Sequence, residues 1–322
     1  MNAATMNEAG ALEQRLGAML PDDCQVAITG VASLGAQRRS LFLEITQGGS
    51  TQRAVAQIAG VGVDSHSIDN EARLLRAAES AGVVVPHLLA VDPDSGTIIA
   101  EHVDGESIPR RILRLVEANP RLRTDLTADC GRALSMIHQI PSQDFPQLQS
   151  LGDPNQYADE MELLLDSLAT PHPTFRLGIR WLRRNAEDFE ADPVVVHGDF
   201  RLGNFLASDA GLTAVLDWEL VHLGDPMEDL AWLCLRTWRF GADEHIVGGI
   251  GSLAELRGAY EKAGGEWREQ AFHWWTVART LWWGLGLARQ GQAYLNEETT
   301  SIVLAASGRR VVELEYDLLQ LL

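Results

Sequence analysis

Lysine is almost absent from this chain. Of its 26 Lys and Arg residues only Lys262 is a lysine, and it falls far along the sequence in a helical stretch. Any chemistry that needs a lysine on a strand of the first third is excluded. Positive charge is scarce in general: 45 Asp and Glu residues set the formal net charge at −19. Such a surface opposes nucleic-acid binding, which relies on cationic side chains at phosphates, so no nucleic-acid partner is expected. Acidity of this kind commonly serves solubility, with steering of a cationic ligand as the alternative. Cysteine is sparse too. Cys24, Cys130 and Cys234 are odd in number and scattered, which argues against a disulfide framework and suits a reducing, cytoplasmic compartment. No pair of them has metal-ligand spacing. No apolar run approaches the length of a membrane span; residues 271–291 are apolar-rich but carry His273, Arg279 and Arg289. The first ten residues lack a basic stretch followed by an apolar core, so neither a signal peptide nor a membrane partner is expected.

What is present is a clear order of elements. At 322 residues the chain can bury a large core and divide into two lobes. Apolar spacing at Leu12, Leu16 and Leu20 predicts a helix over 7–19. Strands are predicted at 25–28, 40–45 and 53–58, with Gly48-Gly49 turning the last two into a hairpin. A helix near 68–81 follows, then a second hairpin formed by 87–91 and 97–103 around Asp92-Pro-Asp-Ser-Gly96. After Asp104-Gly105 the pattern is mainly helical: near 107–118, 123–139, 156–169, 174–190, 225–237, 252–263, 268–291 and 297–321. Short strands interrupt it at 193–217. No internal repeat appears. The fold class is α+β, with a strand-rich lobe over 1–103 and a larger helical lobe over 104–322.

The stretch Pro193-Val-Val-Val-His-Gly-Asp-Phe-Arg-Leu-Gly-Asn-Phe-Leu206 reads as an apolar strand, a polar loop and a second strand. A turn at 208–211 then leads to a third strand ending at Leu216-Asp-Trp-Glu219. Asp199 and Asn204 lie five residues apart in the loop, and Asp217 follows thirteen residues later. Phosphoryl transfer needs a group to orient the attacking hydroxyl and oxygen ligands to hold Mg²⁺ against the phosphates. If the turn at 208–211 closes a hairpin, Asn204 lies roughly opposite Val215. Asp217 shares the face of Val215, because strand side chains alternate with period two. The plain alternative is that Asp199 and Asp217 are turn and strand-end carboxylates.

His197-Gly-Asp199 with Asn204, then Leu-Asp-Trp-Glu219 and Gly224-Asp-Pro-Met-Glu-Asp-Leu-Ala-Trp232, resembles the aminoglycoside phosphotransferase and choline kinase-like family. The branch most like it holds bacterial phosphotransferases similar to the kinase-like domain of some acyl-CoA dehydrogenases. The resemblance is densest over 193–233 and looser from about residue 26 to the C-terminus. It implies a two-lobed protein-kinase-like fold and an ATP- and Mg²⁺-dependent O-phosphotransferase, with GTP as the alternative nucleotide. The acceptor would be a small molecule bearing a hydroxyl, of aminoglycoside-, choline- or hydroxyacyl-like type. Residue by residue, the resemblance implies that Asp199 is the catalytic carboxylate, that Asn204 and Asp217 are metal ligands, and that His197 and Asp229 brace the loop. His138 resembles a recurring helical histidine and reads as structural.

In the small lobe the resemblance puts a phosphate-facing turn at 33–40, with Gly35, Arg38 and Ser40 near the nucleotide; a plain hairpin turn is the alternative. Glu71 is the candidate for the helical acid that pairs with a basic strand residue, or else a solvated carboxylate near a helix start. The aligned strand position is Gln57, not a basic residue. Arg38, Arg39 or Arg53 could supply the missing charge. Backbone groups around Glu101 to Val103 would receive the nucleobase. Gln57 also motivates the competing reading, a kinase-like pseudoenzyme that binds nucleotide or metabolite without turnover.

Two features set the chain apart from regulated protein kinases. Gly198 stands where those enzymes commonly carry an arginine, and only eleven residues separate Asp217 from Asp229, too few for a long activation segment. The acceptor wall is expected to draw on Trp218, Glu219, Trp232, Arg236 and Trp282. The aromatic pairs 274/275 and 282/283 lie two helical turns apart and read either as core or as pocket wall. Oligomeric state is not legible from the residues.

Overall fold

The computed structural model describes residues 3–34, 38–60, 65–151, 153–186 and 192–322. The chain divides into two units, Met1–Gly105 with Thr213–Glu219, and Glu106–Leu212 with Leu220–Leu322.

The first unit runs through α1 (Ala3–Gly17), β1 (Gln25–Leu34), β2 (Arg38–Gln47), β3 (Ser50–Ala59), α2 (Ser65–Ser80), β4 (Leu88–Asp92) and β5 (Thr97–Glu101). Gly48 and Gly49, at φ 56° and 84°, make the β2–β3 turn. Two successive left-handed residues match the twist of the flanking strands, and glycine adopts them without strain. The five strands form an antiparallel sheet in the order β1-β2-β3-β5-β4. Alternation then sorts the side chains. Leu41, Leu43 and Ile45 of β2 and Ala54 and Ala56 of β3 are buried on one face, with Leu16 of α1 and Ile99 of β5 in the same cluster. The opposite face carries Arg38, Ser40 and Phe42 of β2 and Arg53, Val55 and Gln57 of β3, because Ser40 pairs with Gln57 and Arg38 with Ala59. Helix α2 begins at Ser65, earlier than the expected 68, so Glu71 sits in its second turn and is 6% exposed.

The second unit contains α3 (Pro109–Ala118), α4 (Pro120–His138), α5 (Pro154–Asp166), α6 (Pro173–Arg184), β6 (Val194–Val196) and β7 (Phe205–Ser208). β8 (Gly211–Val215) starts in this unit and ends in the first. There follow β9 (His222–Gly224), α7 (Pro226–Cys234), α8 (Leu253–Lys262), α9 (Glu269–Leu295), α10 (Ile302–Ser307) and α11 (Val311–Leu321). Proline opens α3, α4, α5, α6 and α7. Its fixed φ suits the first helical turn, where its missing N–H forfeits no hydrogen bond. Helix α9 packs against α5, α6, α7, α10 and α11 and is the axis of this unit.

Three sequence expectations change here. A single helix over 297–321 is not formed: Glu297 adopts φ 62° beyond the end of α9, Ser301 caps α10 by accepting the Leu304 N–H, and a tight turn at Gly308–Arg310 leads into α11. The expected helix over 174–190 ends at Arg184, and residues 187–191 lie outside the described residues. β9 was not anticipated; it pairs antiparallel with β6, Val195 opposite Leu223. Among the described residues, no helix is long and apolar enough to cross a membrane.

Candidate active site

β6 is a buried apolar strand that delivers residues 197–204 to its end, where the chain turns before β7. Successive peptide groups of this loop are fixed by its own His197 and by side chains from elsewhere in the second unit. Asp229, fully buried in α7, accepts the His197 N–H at 2.7 Å on Oδ2 and the Gly198 N–H at 2.8 Å on Oδ1. The Asp199 N–H donates to His197 Nδ1 at 3.2 Å. The Gly198 carbonyl accepts from Arg279 Nη2 at 2.8 Å. Burial by itself would raise the Asp229 pKa, but the His138 hydrogen bond, the nearby imidazoles and the backbone donor outweigh it, so the carboxyl is held below the usual range. His138 bridges Tyr260 at 2.9 Å and Asp229 at 3.2 Å.

Gly198 adopts φ 79°, and a Cβ there would lie 2.4 Å from the Leu220 carbonyl oxygen. Only glycine fits both the backbone and the space. The position that carries an arginine in regulated protein kinases is therefore closed to any side chain in this loop.

The Asp199 carboxylate has three donors. Oδ1 accepts Trp232 Nε1–H at 2.7 Å and Arg201 Nε–H at 2.9 Å; Oδ2 accepts Asn204 Nδ2–H at 2.6 Å. A carboxylate offers about four lone-pair directions, so one, on Oδ2, remains open. The side chain is 14% exposed, enough for a ligand atom to reach it. Asn204 Nδ2 also donates to the Asp199 carbonyl at 3.0 Å. Both of those partners are acceptors, which fixes the amide orientation and leaves the Asn204 carbonyl oxygen without a donor among the described residues.

Arg279, Glu228 and His222 form a buried charge network that the sequence reading did not single out. Arg279 Nη1 pairs with Glu228 Oε1 at 2.9 Å, and Glu228 Oε2 meets His222 Nε2 at 3.0 Å. His222 Nδ1 faces the Leu220 carbonyl at 2.8 Å. Burial works against a charged imidazole, yet Glu228 and the Leu220 carbonyl prevail and raise the His222 pKa. Both ring nitrogens face acceptors, as an imidazolium requires. The Arg279 guanidinium also stacks over Trp232 at 4.4 Å and Trp282 at 4.2 Å. A signal existed in the sequence: a lone arginine between two tryptophan pairs must find a partner if that helix is buried.

The expected acceptor wall meets different surroundings. Trp232 is 1% exposed and its N–H is taken by Asp199, so it supports the carboxylate. Arg236 is tied to Asp243 at 3.0 Å and Asp317 at 3.1 Å. Trp282 lies beneath Arg279.

In the first unit, Asp217 is exposed two residues beyond the end of β8, so the strand alternation expected to align it with Val215 does not extend to it; its φ of 63° is a left-handed conformation that few residues other than Gly, Asn and Asp take. Trp218 is 3% exposed and its indole N–H reaches the Val215 carbonyl at 3.3 Å, so it anchors this stretch instead of lining a pocket. Arg38 Nη1 pairs with Glu71 Oε2 at 2.5 Å, and Arg38 Nε lies 4.0 Å from Glu219. Burial raises the Glu71 pKa, with Glu219 adding to it and Arg38 opposing. Gln57 is half-buried on the sheet face shared with Arg38 and Ser40. Arg39 points to the other face, and Arg53 is engaged by Asp104 at 2.7 and 2.8 Å. The Glu101 N–H is taken by His87 and the His102 N–H by Arg53, while the Val103 N–H has no hydrogen-bond acceptor among the described residues. Gly35 lies outside the described residues.

Residues 31–274 match the model of the family described as "Phosphotransferase enzyme family" (APH). This chain belongs to the APH phosphotransferase family. A curated relative is acyl-CoA dehydrogenase family member 11 of Pongo abelii, 31% identical over 216 residues, covering 61% of this chain and 27% of that protein. The APH chain described here thus spans about a quarter or less of the length of the curated relatives it matches. Among solved structures it is similar to a candidate aminoglycoside phosphotransferase of Ralstonia eutropha, at 20% identity, TM-score 0.74 and 97% coverage of each chain. It is also similar to a spectinomycin phosphotransferase in complex with ADP and spectinomycin, at 13% identity and TM-score 0.65, over 97% of this chain and 98% of that one. The fold is α+β, two-lobed and protein-kinase-like.

Proposed function

We propose that this chain is an ATP- and Mg²⁺-dependent O-phosphotransferase acting on a hydroxyl of a small-molecule acceptor. One observation carries the proposal: the Asp199 carboxylate is oriented by Trp232, Arg201 and Asn204 and keeps one acceptor direction open on Oδ2. An acceptor hydroxyl donating there would be aimed by a group that cannot rotate away. As its oxygen bonds to the γ-phosphorus, the bond from that phosphorus to the β,γ-bridging oxygen breaks and ADP departs. The hydroxyl proton passes to Asp199 Oδ2.

The residues present fit a hard divalent cation. The amide oxygen of Asn204, which has no donor among the described residues, and the exposed carboxylate of Asp217 are the proposed Mg²⁺ ligands, and Mg²⁺ needs few protein ligands because phosphates and water complete its shell. When bound, the ion offsets phosphate charge, which an acidic chain with a single lysine cannot do alone. His197 and Asp229 hold the loop backbone. Arg38, Ser40, Gln57 and Glu71 are proposed to face the nucleotide phosphates, and the backbone at Glu101 to Val103 its base. The solved phosphotransferase holding ADP supports a nucleotide substrate by likeness of fold.

A second reading, a pseudoenzyme that binds without turnover, is favoured by Gln57 at the strand position where a basic residue is expected. Phosphate transfer from labelled ATP to a mixed metabolite pool, with the product identified by mass, separates the two. Under the proposal a labelled product forms with Mg²⁺, and Asp199→Asn lowers its rate by about 10²–10⁴-fold while the fold is kept. Binding of Mg·ATP with no transfer across the pool would favour the pseudoenzyme.

A further inference from the structure

The first unit lacks the strand lysine, yet Glu71 of α2 does not stand alone. Its carboxylate meets a guanidinium, and that guanidinium comes from a different strand. Arg38 opens β2, whereas Gln57 lies in β3. Arg38 pairs in register with Ala59, two residues along β3 from Gln57, and Ser40 is directly opposite Gln57. Arg38 and Gln57 are therefore diagonal neighbours on one sheet face, a separation that long side chains bridge. Ala59 opposite Arg38 leaves that side chain room to cross toward α2.

We propose that Arg38 has taken over from β3 as the cation that receives the nucleotide phosphates, with Glu71 and Glu219 as the carboxylates that aim it. The inference rests on the phosphotransferase reading given above and narrows it to one residue. Three observations converge. The Arg38–Glu71 pair, at 2.5 Å, is largely withdrawn from water, with side chains 17% and 7% exposed. The other arginines considered for this role are unsuited: Arg39 projects from the opposite face, and Arg53 is 57% exposed and spent on Asp104. Third, Arg38 keeps Nη2 without a partner among the described residues, while Nη1 is held by Glu71 and Nε approaches Glu219. A guanidinium aimed through Nη1 and Nε with Nη2 still open is suited to bind a phosphate oxygen without first being ordered.

This arrangement differs from a lysine in consequence as well as in origin. A guanidinium stays charged whatever its surroundings, so burial beside Glu71 cannot switch it off. The neutral Gln57 then acts as a secondary donor, able to share a phosphate oxygen or brace the arginine.

The test moves the charge back. Binding of Mg·AMP-PNP and of adenosine is measured by calorimetry for the wild type, Arg38→Gln, Gln57→Lys and the double variant, with urea unfolding to verify the fold. Arg38→Gln is expected to weaken Mg·AMP-PNP at least tenfold and to leave adenosine, which has no phosphate, unchanged. The double variant Arg38→Gln with Gln57→Lys is expected to regain most of the loss, because it restores a cation to the sheet face that Arg38 and Gln57 share. Equal Mg·AMP-PNP affinity in folded Arg38→Gln and wild type overturns the inference. So does equal weakening of both ligands, which marks Arg38 as merely structural. Should Arg38→Gln not fold, Arg38→Lys serves: retained affinity supports a charge at this position, and lost affinity for both ligands alike counts against it. A wild-type protein that binds no Mg·AMP-PNP overturns the phosphotransferase reading itself, and the inference falls with it.

Discussion

Trp232 donates its indole N–H to Asp199 at 2.7 Å, and the same ring lies 4.4 Å beneath the Arg279 guanidinium. One aromatic side chain thereby links the open carboxylate to the charge network under the loop. Trp232→Phe keeps the ring stack and deletes the donor. A hydrogen bond to a charged group contributes about 1.5–3 kcal/mol, so kcat is expected to fall about 10- to 100-fold. The acceptor KM should hardly change, because Trp232 is buried. A KM rise without a kcat loss would return Trp232 to the acceptor wall.

Gly198→Ala tests the loop backbone. Its positive φ costs an L-residue about 1–2 kcal/mol, and the Cβ would sit 2.4 Å from the Leu220 carbonyl oxygen. Urea unfolding should show destabilisation of about 2–4 kcal/mol. A change below about 0.5 kcal/mol would mean that the loop relaxes freely.

His222 sets a pH dependence on the alkaline side. Its folded pKa is raised by Glu228 and the Leu220 carbonyl against the opposing effect of burial. The stabilisation is full below the unfolded value of about 6.5 and is lost as pH rises through the higher folded value. Urea midpoints between pH 6 and 9 should decline in the wild type and flatten in His222→Gln. Parallel curves would assign the decline to another group.

The proposed metal ligands differ in charge and in backbone. Asp217→Asn preserves tolerance of the left-handed conformation at φ 63° and removes only the charge. It should reduce Mg²⁺-dependent nucleotide affinity tenfold or more. Asn204→Ala should cost less binding but more turnover at saturating nucleotide, because it also frees Asp199 Oδ2 from a 2.6 Å donor. Wild-type nucleotide affinity in both variants would reject the metal assignment.

Much of the fold was legible because punctuation and periodicity agreed. Gly48-Gly49 announced the hairpin that puts Arg38, Ser40 and Gln57 on one face, and alternation along β3 separated Gln57 from Ala54 and Ala56. Leu12 and Leu16 announced α1. Helix starts were placed within a few residues; the prolines that open α3 to α7 would have sharpened them. Less legible was everything that depends on residues distant in sequence meeting in space. β9 is three residues long and carries no periodicity. The choice of Arg38 over Arg39 or Arg53 needed the register and the position of Glu71. Arg279 looked like an interruption of an apolar helix, and its partners Glu228 and Gly198 lie about 50 and 80 residues away. Trp232 looked like a ligand contact because an aromatic residue near a motif says nothing of which way its N–H points.

The single lysine has a practical consequence. Lys262 is an exposed residue in the last turn of α8, and the proposed phosphate site of the first unit contains no side-chain amine. Amine-directed nucleotide analogues, which profile kinases by acylating a lysine beside the bound phosphates, should pass this protein without forming an adduct there. A survey relying on such reagents would score it as a non-binder whatever its affinity for nucleotide. Guanidine-selective dicarbonyl reagents, with protection by added nucleotide, are the appropriate covalent readout, and Arg38 is where protection should be sought.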